Sequence, residues 1–211
     1  RPMRKTLIFI LTTLFVASPA LGQEYEQDVH YFQMTKPQPV HTGENIEVLE
    51  LFWYRCPHCY TLEPYLKQWE KSKPDFVEYV RMPAILNQPW AFDARVFYTF
   101  LALGLVDKLH EAYFDAIHKE RKRFVTVEQL ADWAADQDVD PQDILNTFNS
   151  FGVNSMVAHA ADMSARYQTD GVPTIIIDGK YRTKVSLAGG HNELIDLMNH
   201  LALRARSERS D

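Results

Sequence analysis

The two cysteines of the chain, Cys56 and Cys59, are separated by only two residues. They follow a run of β-branched, aromatic and leucine residues and precede a predicted helix, and a Cys-x-x-Cys pair in that context is typical of a redox-active disulfide. Residues i and i+3 in a first helical turn have Cβ atoms about 5–6 Å apart, so a short disulfide forms with slight adjustment. Closing so short a loop constrains the unfolded chain little, so the spacing favours redox chemistry over structural cross-linking.

The two intervening residues, Pro57 and His58, are expected to tune this pair. Pro57 suits the first helical position, because its missing N–H has no intrahelical partner there. Cys56 would then lie at the helix N-terminus, where free N–H groups and the helix dipole favour its thiolate, while Cys59 lies one turn inside and is shielded. His58 can be cationic and donate to the Cys56 sulfur. Since a stabilised thiolate is a good leaving group, the pair is expected to donate its disulfide rather than to reduce others.

A second proline, Pro173, stands just before a predicted strand late in the chain. Proline is ordinary at a strand start, and its sequence context alone indicates a turn. A cis Val172–Pro173 peptide bond would do more, because it would expose the Val172 backbone for strand-like pairing with an extended substrate beside the cysteines.

The elements that must position these residues are strands at both ends of the chain and helices between them. Strands are predicted over 29–34, 46–54, 76–82, 174–177 and 180–184, the last two joined by a hairpin turn. The cysteine helix runs towards Trp69 and forms a parallel β–α–β crossover. From Trp90 to about Gln168 the apolar residues recur at helical spacing, and a closing helix covers 192–204. The pattern predicts an α/β domain with a helical insertion.

The first 22 residues are predicted to be a secretory signal peptide. Arg4 and Lys5 precede an apolar run, and Ala20 and Gly22 offer the small side chains that a signal peptidase recognises. The alternative is a membrane anchor, but the run is shorter than the roughly 20 residues that a bilayer crossing takes. Cleavage after Gly22 would leave 19 basic and 28 acidic residues, a net charge of −9.

This charge makes nucleic acid a poor candidate partner, and the short basic run 119–123 is expected to be a solvated helix end. A structural zinc site needs four ligands, and the chain has no second cysteine pair. No metal or cofactor is therefore expected. Disorder is suggested only for 204–211. The histidines other than His58 show no evident site and are predicted to lie at the surface; these are His30, His41, His110, His118, His159, His191 and His200.

Two segments carry a resemblance to a known family. The run Phe-Trp-Tyr-Arg-Cys-Pro-His-Cys-Tyr over 52–60 and the run Gly-Val-Pro-Thr over 171–174, with the helical insertion and the signal peptide, resemble the DsbA family of bacterial periplasmic disulfide oxidases. The resemblance implies a thioredoxin fold with an inserted all-helical domain. Residues 23–84 and 165–211 would form the two parts of the thioredoxin-like domain, and 85–164 the insertion.

The same resemblance implies an activity and partners. It implies a monomeric periplasmic enzyme without a cofactor, which oxidises cysteine pairs of unfolded or folding exported proteins through a mixed disulfide. It also implies reoxidation by a quinone-linked inner-membrane protein, DsbB. Both the low cysteine pKa and the strong oxidising power of the family would be expected here.

The resemblance assigns roles to individual residues. Cys56 corresponds to the exposed attacking cysteine, Cys59 to the buried one, and Pro173 to a cis-proline beside them. Glu50 and Glu63 match two family acids; from the sequence, Glu50 is expected to be buried, whereas Glu63 reads equally well as an exposed helix acid. Arg81 falls where some members carry a lysine. Because an arginine is never a proton acceptor, Arg81 could take over only part of the role of that lysine.

Two other functions remain open. One is a disulfide isomerase or reductase of the same fold, but such isomerases resemble dimers with a separate N-terminal domain, for which residues 23–45 are too few. The other is a thioredoxin-fold chaperone without redox turnover, against which the intact cysteine pair argues.

Overall fold

The computed structural model describes residues 24–210, so the predicted signal peptide lies outside the described residues. Five strands form one mixed sheet in the order β1-β5-β4-β2-β3. The strands are β1 (Phe32–Gln33), β2 (Ile46–Phe52), β3 (Val77–Pro83), β4 (Thr174–Ile177) and β5 (Tyr181–Thr183). The helices are α1 (Pro57–Glu70), α2 (Trp90–Ala102), α3 (Val106–His118), α4 (Val127–Ala135), α5 (Pro141–Phe148), α6 (Phe151–Arg166), α7 (Val185–Ala188) and α8 (His191–Ser210).

Strand β2 is an interior strand of the sheet, between β4 and β3, and all seven of its residues are buried. It pairs in parallel with β3 across the α1 crossover and antiparallel with β4. Such a strand is buried on both faces, which explains its nearly continuous apolar sequence. Its register places Glu50 between Arg81 on one side and Ile175 on the other, so an acid lies in the middle of the sheet.

Five helices, α2 to α6, lie between β3 and β4, as the helical periodicity predicts. Local caps define several of their starts. Thr126 forms a capping box with Gln129, and the Asp140 side chain accepts from the N–H of Gln142 before Pro141 opens α5. These helices share one apolar cluster with Phe52 at the end of β2, so the insertion packs directly on the approach to the cysteines.

The chain departs from the sequence-based expectation at its ends. Strand β1 is only two residues long, and the short helix α7 was not predicted. The prediction of disorder from residue 204 onwards is wrong, because α8 continues to Ser210. Arg209 forms an ion pair with the buried Asp178 and donates to the Gly43 carbonyl, which holds this last turn against the sheet.

None of the helices within residues 24–210 combines the length and the apolar character that a bilayer crossing requires.

Candidate active site

Helix α1 begins directly at the cysteine pair. Cys56 is the N-cap residue, with extended backbone angles of φ −79° and ψ 117°, and Pro57 occupies the first turn. Both cysteines are free thiols. Cys56 retains 7% exposure, whereas Cys59 is completely buried one turn into the helix. The predicted asymmetry between an accessible and a shielded sulfur is therefore present.

The surroundings of the two sulfurs move their pKa values in opposite directions. A hydrogen bond from Cys59, together with the N–H groups of Cys59 and His58 and the charge of His58, outweighs burial and lowers the pKa of Cys56 to about 6. Burial, followed by the hydrogen bond and charge of Cys56, raises the pKa of Cys59 well above its ordinary value. Cys56 is thus mostly a thiolate at neutral pH, and Cys59 a thiol.

The late proline lies beside these sulfurs. The Val172–Pro173 peptide bond is cis, as expected. The Cys56 sulfur lies 3.4 Å from the Val172 carbonyl oxygen, to which its protonated form donates, although these residues are 116 positions apart in the chain. A cavity of about 360 Å³ opens next to them, lined by His58, Val172, Pro173, Lys184, Val185, Ser186 and His191. The segments that carry the family resemblance therefore meet at one surface.

Beneath the cysteines lies the buried carboxyl of Glu50. It is fully buried, as predicted, and accepts a hydrogen bond of 2.6 Å from the Tyr79 hydroxyl. The Arg81 Nε lies 3.8 Å away, and Glu50 Oε1 has no hydrogen-bond partner among the described residues. Burial, with the nearby charge of Glu63, outweighs Arg81 and Tyr79 and raises the pKa of Glu50 to about 8.

The second predicted acid, Glu63, is only 12% exposed, so its interpretation as a solvated helix acid is wrong. Its Oε2 lies 3.8 Å from Arg81 Nη2, and its Oε1 lies 3.3 Å from His110 Nε2. Arg81 also reaches Glu70 at 3.6 Å. The structure therefore brings together Glu50, Glu63 and Arg81, the three charged residues that the sequence named.

The prediction that His110 lies at the surface is wrong, because the residue is 6% exposed and packs among the rings of Phe52, Phe97 and Phe114. Its Nδ1 lies 2.8 Å from the Tyr54 hydroxyl. A signal was available: His110, Tyr113 and Phe114 share the i, i+3, i+4 spacing of the buried face of α3.

Asp93 is a second buried acid, which is not among the site residues predicted from the sequence. Asp93 is 1% exposed and accepts from Trp53 Nε1 at 2.7 Å, from Arg55 Nε at 2.8 Å and from the Tyr113 hydroxyl at 3.4 Å. It thereby ties the turn before Cys56 to helices α2 and α3. An acid within the apolar run of α2 was the available signal.

Comparison with known proteins agrees with this geometry. The sequence profile of the family described as DSBA-like thioredoxin domain matches residues 83–201. The thiol:disulfide interchange protein DsbA of Pseudomonas aeruginosa is 37% identical over 202 residues, which covers 96% of this chain and 95% of that protein. The corresponding protein of Pseudomonas syringae is 36% identical and covers 97% of both chains.

Solved structures show the same likeness. The crystal structure of Pseudomonas aeruginosa DsbA is 37% identical, with a TM-score of 0.85 over 89% of this chain and 97% of that one. The oxidoreductase DsbA from Xylella fastidiosa is 26% identical, with a TM-score of 0.78 over 84% and 96%. The predicted thioredoxin fold with an inserted all-helical domain is confirmed, and so is the predicted oxidoreductase class. The chain belongs to the DsbA family of thiol:disulfide interchange proteins.

Proposed function

We propose that this protein is a dithiol oxidase, which donates the Cys56–Cys59 disulfide to client proteins that have free cysteines. The observation that carries the proposal is that the two cysteine pKa values change in opposite directions. The pKa of Cys56 is lowered to about 6, and the pKa of Cys59 is raised. A dithiol whose accessible sulfur is stable as a thiolate is favoured in its reduced form, so its disulfide is a strong oxidant.

The exchange proceeds in two steps. A client thiolate attacks Cys56 Sγ, the Cys56–Cys59 bond breaks, and Cys59 leaves with the electron pair and takes up a proton. The second client thiolate then attacks the client sulfur of the mixed disulfide, and Cys56 leaves as a thiolate. The client gains a disulfide, and the Cys56–Cys59 pair is left reduced.

Glu50 is the proposed proton partner of Cys59. With a pKa of about 8, it can hold a proton near neutral pH and also release it readily. It donates the proton when Cys59 leaves, and it accepts the proton when Cys59 attacks during reoxidation. Glu63 and Arg81 act through their charges on Glu50, while Pro57 and His58 tune the Cys56 thiolate.

Val172 and Pro173 form the proposed client-binding surface. The Val172 carbonyl lies within hydrogen-bond distance of Cys56, so a strand of client backbone paired there would bring its own sulfur to the site. The cavity beside Pro173 offers room for client side chains next to the cysteine.

The site of action and the partners complete the proposal. The signal-like N-terminus and the family membership support action in the periplasm, on unfolded or folding exported proteins. Reoxidation would come from a quinone-linked inner-membrane oxidase similar to DsbB, whose disulfide the Cys56 thiolate attacks. The protein is proposed to act as a monomer and without a cofactor.

Two cysteine variants and one equilibrium test the proposal. The wild-type protein should oxidise a reduced two-cysteine client, Cys56→Ala should lose this activity completely, and Cys59→Ala should accumulate the mixed disulfide at Cys56. Against glutathione, the pair should be far more oxidising than glutathione itself. A pair that is as reducing as glutathione would favour the reductase alternative, and client protection by Cys56→Ala equal to wild type would favour the chaperone.

A further inference from the structure

His110 belongs to the inserted helices, yet it touches residues of the cysteine-bearing sheet and helix. Tyr54, two residues before Cys56, lies on one side of its ring, and Glu63 of α1 lies on the other. The His110 side chain is 7% exposed and packs against the aromatic rings of Phe52 and Phe114. A histidine in such surroundings must have both ring nitrogens hydrogen-bonded, since an unpaired buried polar group is costly.

The two contacts select one arrangement of the neutral ring. The Tyr54 hydroxyl, whose pKa burial raises well above its ordinary value, remains protonated and donates to Nδ1 over 2.8 Å. The Nε2–H then donates to Glu63 Oε1 over 3.3 Å. Tyr54 thereby fixes the tautomer in which His110 is a donor towards the acid.

Glu63 needs this donor because cations are scarce in the cluster. One guanidinium, that of Arg81, faces three acidic side chains, of which Glu50 and Glu63 each lie 3.8 Å away and Glu70 lies 3.6 Å away. Burial tends to raise the pKa of Glu63, but the hydrogen bond from His110, together with the charges of Arg81 and Lys67, brings it below its ordinary value. Glu63 is therefore ionised, and its charge acts on Glu50.

We propose that His110 is a positioning residue for thiol–disulfide exchange, which keeps Glu63 as a carboxylate and so assigns the proton of the buried acid pair to Glu50, beside the cysteines. This inference rests on the proposed role of Glu50 as the proton partner of Cys59. Without His110, the proton moves to Glu63, and Glu50 is left as a carboxylate that cannot protonate the departing Cys59 sulfur.

Solvent reaches the same cluster from the far side. A cavity of about 370 Å³ between α1 and α3 is lined by Glu63, Arg81 and His110, so a proton can pass between water and the acid pair at its Glu63 end. The other charged residues that face this cavity are Lys67, Glu70, Lys71, Asp107 and Glu111. Lys67 is paired with Glu111, which leaves Arg81 and His110 as the groups in contact with Glu63.

The test follows the step in which Cys59 attacks a mixed disulfide. Reduced protein is mixed with oxidised glutathione, and the glutathionylated Cys56 intermediate is followed by acid quench and mass spectrometry from pH 5 to 9. In the wild type, the resolution rate should rise through an inflection set by Glu50, and Glu50→Gln should remove that inflection. His110→Leu should move the inflection to lower pH by about one unit or more, because a neighbouring charge shifts a buried carboxyl by that amount.

Two further variants separate this role from a packing defect. His110→Gln retains a donor near the Nε2 position and should keep the inflection near that of the wild type. In a Glu63→Gln background, His110→Leu should produce no additional shift, because the carboxylate on which it acts is gone. An unmoved inflection in folded His110→Leu, or an equal shift with and without Glu63, would overturn the inference while leaving the oxidase function intact. If Glu50→Gln has no effect, both the proton role of Glu50 and this inference fail.

Discussion

Two buried carboxylates, Asp93 and Glu50, flank the segment that leads into the cysteine pair, and their oxygens are hydrogen-bonded to very different extents. Asp93 accepts from three side chains, one of which is the charged Arg55 at 2.8 Å. Glu50 accepts one hydrogen bond, from Tyr79, and its other oxygen has no partner in the described part of the chain. Both carboxyls are 1% exposed or less.

This difference distinguishes Asp93, a carboxylate with a structural role, from Glu50, a carboxyl group that can exchange its proton. Burial raises the pKa of both acids, but Arg55 and the donors around Asp93 oppose it directly, whereas Arg81 stands 3.8 Å from Glu50 and is shared with two other acids. A carboxylate with a full set of donors keeps its charge and fixes its neighbours in place. A carboxylate without them holds its proton loosely near neutral pH, which suits proton exchange with Cys59.

The largest effect that tests this comparison should come from Asp93→Ala. Removal of the acid leaves Arg55 and Trp53 without their partner and should lower the free energy of unfolding by about 3–5 kcal/mol, as for other broken buried ion pairs. Urea denaturation at pH 7 measures it. Asp162→Ala, which removes an exposed i,i+4 pair with Arg166, should change the free energy by less than about 1 kcal/mol. Equal values for the two variants would contradict the structural role of Asp93.

The residues that the sequence predicted correctly are those that act through local geometry. Cys56 and Pro57 identify a helix start by themselves, and Thr126 with Gln129 and Asp140 with Pro141 identify two more. The strand at Glu50 is recognisable because its neighbours are apolar, and the burial of that acid follows from them. The fold class follows from where strands and helices alternate.

The contacts that the sequence could not supply join residues far apart in the chain. His110 meets Tyr54 and Glu63 across 56 and 47 positions, and Asp93 meets Arg55 across 38. No periodicity encodes which surface of the insertion packs on the cysteine turn. For the same reason the end of α8 was predicted to be disordered, because Arg209 is held by Asp178 from the sheet.

An intermediate effect of opposite sign is expected for Glu50→Gln. Because the pKa of this acid is raised to about 8, the fold favours its protonated form, and that stabilisation is lost as pH rises from the unfolded pKa of about 4.3 towards 8. Glutamine has no charge to bury, although its buried amide has a desolvation cost of about 1–3 kcal/mol. We expect the reduced variant to be about 2 kcal/mol more stable than the reduced wild type at pH 8.

Urea denaturation of the reduced proteins from pH 5 to pH 8 measures this difference, which should grow with pH. Glu78→Gln is the matched control, because Glu78 is an exposed acid on β3 and its replacement should leave the pH dependence unchanged. A Glu50→Gln protein that loses stability relative to wild type as pH rises would mean that the surroundings of Glu50 stabilise its ionised form.

The smallest expected effect is a change with pH in the difference between the free energies of unfolding of the reduced and oxidised proteins. The folded pKa of Cys56 is lowered to about 6, against about 8.5 for an unfolded cysteine, so its thiolate stabilises the reduced fold. A lowered folded pKa contributes stability that is complete above the unfolded pKa and is lost as pH falls through the folded one. The disulfide has no such titrating group, so its contribution does not change with pH in this range.

The free energy of unfolding of the reduced protein, relative to the oxidised protein, should therefore rise by about 1 kcal/mol between pH 5 and pH 7. Paired urea denaturations of both redox forms measure it. Because its pKa is about 8, Glu50 holds its proton over this range, so Glu50→Gln should leave the rise in place. Asp93→Asn should also leave it in place, because Asp93 is not among the groups that act on Cys56. A redox gap that is flat with pH would remove the thiolate as the source of the oxidising power, and a rise displaced by Glu50→Gln would mean that Glu50 is already ionised below pH 7.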